Sequence, residues 1–294
     1  MSAASAPQYA ARSCAACSTV ERVPEPTLKG PFTGRSRAAM VALTTSSTYT
    51  RSALEAALSL TEPNDPCVFL GDLLTYGCHP NAVLDRVAAE MEARPCLLVW
   101  GNHEQLYREL SESITDYYDS FPDWLREIAD WTRSRVDHGW LEWSWVESAE
   151  FESVFLAHAN PYGSGDWSYV NSRSDHVTAL AALREAGHRV GVIGHTHRAK
   201  VLATLGGDEW WVEGPMQDAM VLTPGDAAIL NVGSVGQPRD LAQTSTVVTL
   251  QRSGTKIRAE HHRFTYDAGA HLDAIRATGL SPTTIDKLCS FFGE

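Results

Sequence analysis

Four short apolar runs in this chain each stop on residues of ligand type. Cys67-Val68-Phe69-Leu70 runs into Gly71-Asp72, and Leu97-Leu98-Val99-Trp100 runs into Gly101-Asn102-His103-Glu104. Val154-Phe155-Leu156-Ala157 ends on His158, and Val190-Gly191-Val192-Ile193 ends on Gly194-His195-Thr196-His197. A run of this length bounded by turn residues predicts a strand buried on both faces. In open α/β sheets the crevice beyond such strand ends is where ligands bind. Helical periodicity separates the runs. The pattern predicts a first strand over Ala39–Leu43 and a helix over Ser52–Leu58, capped by Ser52 with Glu55 three residues on. A second helix starts near Pro80-Asn81 with Val83, Leu84, Val87 and Met91 inward, and a third over Ser174–Ala186 turns Val177, Leu180, Ala181 and Leu183 inward. Strands alternating with helices predict a parallel sheet.

The remaining stretches are less regular. Between Glu104 and Trp145 the chain is acidic and aromatic, helical in its first part and alternating like a strand over Leu141–Trp145. Such aromatics either cover a site or fill a core, and core packing carries more weight because rings bury large areas wherever they sit. Thr204 to Thr223 predicts a hairpin, Ala227–Val232 a strand entering the glycine-rich loop Gly233–Arg239, and Thr246–Leu250 with Ile257–His261 a second hairpin. A last helix over Ala268–Arg276 ends at Gly279. The organisation expected is a Ser/Ala/Pro-rich leader over residues 1–37, disordered by its composition, and one domain over 38–265 with an aromatic-rich insertion about 105–145. A helical tail follows over 266–294.

Charge and cysteine usage narrow the function. With 24 Lys and Arg against 36 Asp and Glu, the chain of 294 residues carries a net charge of -12. That argues against a general nucleic-acid or anionic-membrane binder, since both need a basic face. A small anionic substrate then requires local attraction, which a bound metal ion supplies. The six cysteines are too scattered for a disulfide framework, and Cys14-Ala-Ala-Cys17 lacks the second pair of a zinc motif. No apolar run reaches transmembrane length and no secretory signal pattern opens the chain, so a soluble, cytoplasmic protein is expected.

Asp72, Asn102, His103, His158, His195 and His197 together form a carboxylate, amide and imidazole set, suited to a divalent transition metal such as Mn, Fe or Zn. In order, Gly71-Asp72 with Tyr76-Gly77, Gly101-Asn102-His103-Glu104, His158, Gly194-His195-Thr196-His197 and Gly233-Ser-Val-Gly-Gln-Pro-Arg239 resemble the calcineurin-like metallophosphoesterase superfamily, in its prokaryotic small-phosphodiesterase branch. The resemblance spans Met40 to Thr265. It implies a four-layer α/β/β/α sandwich and a two-metal centre that hydrolyses a phosphomonoester or phosphodiester. Asp72 would bridge the metals, Asn102, His158 and His195 would complete one site, and His197 would serve the other. His103 would be the general acid, held by Glu104. Arg239 either forks a phosphate oxygen or makes a surface salt bridge. The partner expected is a small phosphorylated substrate, nucleotides included; a nuclease is a weaker reading given the negative charge.

One motif departs from the pattern. The superfamily's first Asp-x-His follows the first strand, and aligning the helix at Ala53–Leu58 puts Ser46 and Thr48 at those positions. No upstream replacement exists, because the first Asp is Asp65 and the first His is His79. Hydroxyls bind divalent ions weakly beside carboxylate and imidazole, so one tight metal and a weak or absent second are expected. Three readings follow: a hydrolase with one tight metal, a pseudoenzyme that kept one metal for binding or regulation, and a chain whose N-terminal stretch has been altered.

Overall fold

The computed structural model describes residues 38–43, 51–240 and 244–293. The leader at 1–37, with Cys14 and Cys17, and the positions Ser46 and Thr48 lie outside the described residues. In chain order the elements are β1 (Ala38–Leu43), α1 (Arg51–Leu58), β2 (Cys67–Phe69), α2 (Pro80–Ala93), β3 (Cys96–Val99), α3 (Asn102–Ser111), α4 (Asp116–Asp119) and α5 (Asp123–Arg133). They continue as β4 (Trp145–Val146), β5 (Ser148–Phe151), β6 (Val154–Ala157), α6 (Arg173–Glu185), β7 (Val190–Ile193), β8 (Ala199–Leu205), β9 (Asp208–Glu213), β10 (Met220–Leu222) and β11 (Ala227–Val232). The chain closes with β12 (Ser245–Ser253), β13 (Lys256–Phe264), α7 (Ala268–Arg276) and α8 (Pro282–Ser290).

Two mixed sheets face each other. One has the order β10-β13-β12-β1-β2-β3-β4 and the other β5-β6-β7-β11-β8-β9. The predicted parallel core is present as β1-β2-β3-β4, and the antiparallel hairpins extend it on one side. Three apolar cores separate four layers. Val68, Leu70, Leu97 and Val99 meet Leu156, Val190, Val192 and Leu230 between the sheets. Leu54, Val83, Val87, Leu106, Ile128 and Leu288 fill the outer face of the first sheet, and Leu180, Leu183, Ile193 and Ile229 lie under α6 on the outer face of the second. This is the α/β/β/α sandwich. Because the central strands are covered on both faces, they read as continuous apolar runs rather than alternating ones.

Several local expectations need correction. Ser52 is the second residue of α1 rather than its cap, since the helix begins at Arg51. In α6 the inward residues are His176, Ala179, Leu180 and Leu183, while Val177 is 42% exposed, because the apolar stripe starts one residue earlier than the sequence suggested. Within Leu141–Trp145 the first two residues close a 3-10 turn over His138–Glu142, and only Trp145 enters a strand. Stacking of Trp145 on Trp100 and Trp143 sets that segment, and its alternation reflects rings packing on one another rather than a pleat. The hairpin expected within Thr204–Thr223 begins earlier, at Ala199, and β10 beyond it joins the other sheet. Helix α8 was not foreseen. It packs on α5 through the Glu127 carboxylate, which accepts from Ser281 N–H at 2.7 Å. Among the described residues no helix is long and apolar enough to cross a membrane.

Candidate metal centre

Asp72, Asn102, His158 and His195 come from four separate strand ends, and their ligand atoms meet. His158 Nε2 lies 3.2 Å from Asn102 Oδ1, 3.1 Å from His195 Nδ1 and 3.4 Å from Asp72 Oδ1. These four side chains are buried.

What fixes each ring is a backbone carbonyl. The Leu70 carbonyl accepts from His158 Nδ1 at 2.5 Å, the Trp167 carbonyl from His195 Nε2 at 3.0 Å, and the Gln237 carbonyl from His197 Nδ1 at 3.1 Å. A carbonyl only accepts, so each ring's single N–H is used outward and the other nitrogen turns its lone pair inward. Asn102 is aimed in the same way, since its amide N–H donates to the Tyr117 hydroxyl at 3.3 Å and leaves the oxygen facing His158. Two nitrogen lone pairs and an amide oxygen therefore face the Asp72 carboxyl, and none of the three turns an N–H into the cluster. Such a cluster repels itself unless a cation occupies it. Ligand separations of 3.1 to 3.4 Å are those of atoms about 2.0–2.2 Å from a common ion. The donor set thus fits a divalent transition metal, with the carbonyls fixing the tautomers from behind.

The backbone is bent to reach this arrangement. Asp72, His195 and His197 all hold left-handed conformations, with φ of 60, 63 and 59°. Residues with a Cβ adopt that region at a cost of order 1 kcal/mol each, and such strain gathers at functional sites. Gly71 and Gly101 allow the two loops to touch, for a Cβ on Gly71 would lie 2.5 Å from the Gly101 nitrogen and one on Gly101 2.5 Å from Asp72 Oδ1.

Glu104 ties these loops together. Its carboxylate accepts from Asp72 N–H and Leu73 N–H at 2.7 Å each and from Gly101 N–H at 2.9 Å. Those hydrogen bonds correct the expectation that Glu104 holds the His103 ring: it is a positioning residue for the Asp72 loop. His103 is buried, its Nδ1 has no hydrogen-bond partner, and the ring stands edge-on to Tyr76 at 4.9 Å. Burial first, then the neighbouring His158 and Arg239, lowers its pKa to about 3, so the ring is neutral before substrate arrives.

His197 stands apart from the four, with Nε2 3.9 Å from Asp72 Oδ2 on the other side of the carboxylate. Among the described residues no further carboxylate or imidazole joins His197 and Asp72 there in a group of three. Among the described residues Arg239 takes part in no ion pair within 4.0 Å, although its charge acts on Asp72 and lowers that carboxyl's pKa against the effect of burial. Its Nε donates to Gln237 Oε1 at 3.0 Å, and its guanidinium lies over the rings of Phe291 at 4.8 Å and Tyr76 at 5.8 Å. Sequence reading missed Tyr169, stacked on His195 with centroids 4.4 Å apart, and the three carbonyls that fix the rings. A backbone carbonyl carries no residue-type signal, and Tyr169 sits in an irregular loop without periodicity.

Burial raises the Asp72 pKa from 3.8 to about 7, while His158 and His195 are held below the ordinary imidazole value, chiefly by burial. Only the carboxyl then exchanges a proton for a metal near neutrality. Apparent Mn affinity is expected to weaken about tenfold per pH unit below about 7 and to level off above it. Calorimetric titrations between roughly pH 5.5 and 8.5 read this slope directly; a flat line or a three-proton slope would contradict it.

The family model of calcineurin-like phosphoesterases matches residues 49–199. The chain belongs to this family. In fold it is similar to a metallophosphoesterase from Sphaerobacter thermophilus, at 21% identity and TM-score 0.63, covering 86% of this chain and 98% of that one. It is likewise similar to a hypothetical protein from Pyrococcus horikoshii, at 15% identity and TM-score 0.62, covering 86% and 97%. Among curated proteins none matches.

Proposed function

We propose that this protein is a metal-dependent phosphoesterase acting on a small phosphomonoester or phosphodiester. The observation that carries this reading is the meeting of the Asp72 carboxyl with the Asn102 oxygen and the inward lone pairs of His158 and His195, whose N–H groups are drawn outward by backbone carbonyls. Asp72, Asn102, His158 and His195 would hold one divalent ion, with Asp72 shared toward His197. A bound ion supplies Lewis-acid activation for attack of water on phosphorus.

The chain's own groups supply the rest. Arg239, held by Gln237 and the two rings, presents a guanidinium to a phosphate oxygen. His103, neutral when free, gains a proton more readily once an anionic phosphoester lies beside it, and then protonates the leaving oxygen. His103→Ala is therefore expected to slow hydrolysis of an alkyl phosphoester by roughly 100-fold or more and that of a nitrophenyl ester far less, since nitrophenolate departs without a proton. Equal losses on both would rule out the acid role. The overall reading is tested by Mn-stimulated hydrolysis of an aryl phosphodiester and monoester, lost in His195→Ala.

A second reading rests on Ser46 and Thr48 at the first motif. With the His197 side short of ligands, the protein is a pseudoenzyme that keeps one ion for binding or regulation. Its signature is one metal per chain and no turnover, with the Ser46→Asp/Thr48→His double variant creating activity. Turnover by the wild type excludes it.

A further inference from the structure

Beside the metal centre a cleft of about 1020 Å³ opens between the edge strands of the two sheets, β9 and β10, and the loop that carries Arg239. Arg198, Arg239 and Arg263 line it. None of these three guanidinium groups takes part in an ion pair among the described residues. Each is instead held by a neutral oxygen: Arg198 Nε donates to the Arg239 carbonyl, Arg263 to the Pro215 carbonyl and Arg239 Nε to Gln237 Oε1, all at 3.0 Å. The fourth cation, Lys200, is spent on Glu213 at 3.0 Å. In a chain of net charge -12, three arginines held in place by neutral oxygens on one cleft form a local anion site. The acids on the same cleft are Glu213, whose carboxyl feels the charge of Arg198 as well as that of Lys200, Asp218 and Asp240, the last accepting from Thr244 N–H at 3.3 Å.

The walls between the arginines are apolar. Trp210 is 37% exposed and Val221 50% exposed, with Val212 beside them. A half-open indole among oriented guanidiniums offers a stacking face and anion contacts together. The cleft adjoins the metal centre through two of its arginines: Arg198 follows His197 in the chain, and Arg239, whose N–H donates to the His197 carbonyl at 2.9 Å, lies over the Tyr76 ring that stands edge-on to His103.

We infer that this cleft holds the non-reacting part of the substrate, and that this part carries a flat ring and negative charge: the substrate class is a nucleotide-like phosphoester, its ring on Trp210 and its anionic groups along Arg198 and Arg263. This rests on the phosphoesterase reading above. It adds a specificity site that the metal ligands alone do not define.

The test is calorimetric binding to the Mn-loaded full chain, with adenosine diphosphate, adenosine monophosphate, glycerol 1-phosphate and inorganic phosphate as probes. Adenosine monophosphate is expected to bind the wild type about tenfold or more tightly than glycerol 1-phosphate, and Trp210→Ala should erase that difference while Trp210→Tyr largely keeps it. Arg263→Ser, at an exposed position, should weaken adenosine diphosphate, whose second phosphate reaches the cleft, and leave inorganic phosphate unchanged, and it keeps the test available if Trp210→Ala folds poorly. Equal affinity of the wild type for the two esters, or no response to either variant, overturns the cleft assignment and leaves these edge strands to a polypeptide. Absence of phosphate binding together with absence of aryl-ester turnover is a separate outcome. It sinks the phosphoesterase reading and the cleft assignment with it.

Discussion

Asp72→Asn is expected to yield a folded protein that Mn no longer stabilises and whose phosphoesterase activity has fallen roughly a thousandfold or more. The side chain keeps its shape, and Asn tolerates the left-handed backbone that Asp72 occupies at φ 60°. What disappears is the one carboxylate that His158 and His197 both face. The metal-free protein should behave in the opposite sense. Burial pushes Asp72 up to about 7, which means that above that pH the empty site holds a carboxylate at a cost to folding. Removing the charge relieves that cost, so in chelator at about pH 8 the variant should melt no lower than the wild type. Scanning calorimetry with and without Mn reads both effects. Undiminished Mn stabilisation in Asp72→Asn would mean that the ion binds elsewhere.

The second large effect belongs to a residue that touches none of the ligand atoms by its own side chain. Glu104→Ala is expected to destabilise the protein by about 3–5 kcal/mol, because it strands three buried N–H donors at Asp72, Leu73 and Gly101. At this chain length that is a fall in melting temperature on the order of 10 °C. Metal affinity should fall with it, since the Asp72 loop is no longer tied to Gly101. Glu104→Gln should lie between, because its carbonyl can replace the oxygen shared by Asp72 and Gly101 while its amide turns donors toward Leu73 N–H. An unchanged melting temperature in Glu104→Ala, with only the proton-transfer step impaired, would restore the expectation that Glu104 serves His103.

Those two residues show how legibility divides. Asp72 announces itself because an apolar run that halts at Gly-Asp is visible locally, and the same holds for Asn102, His158 and His195. Glu104 is equally visible as a residue, yet its partners are backbone groups of a loop 31 and 32 positions earlier, a pairing no local pattern encodes. Arg239 shows the same limit: the glycine-rich loop marks it, but its seat over the rings of Phe291 and Tyr76 depends on what packs around it. The helices misjudged by a residue, α1 and α6, fail for a different reason. Alanines lie on both faces of α6, so the apolar stripe blurs, and only contact with β8 and β11 selects His176, Ala179, Leu180 and Leu183.

By itself the sequence determined the layered α/β class, the strand ends and the identity of the ligand types, because strand burial and abrupt turn chemistry are written within windows of a few residues. It also exposed the missing carboxylate and imidazole of the first motif. Tertiary structure alone decided which nitrogen of each histidine faces inward, that Glu104 fastens two loops rather than one ring, and that three arginines from distant segments share a cleft with Trp210. The physical reason is that the histidine rings, Glu104, Arg198 and Arg263 each depend on a hydrogen bond to a backbone oxygen or nitrogen far away in the chain, and every residue type carries the same backbone.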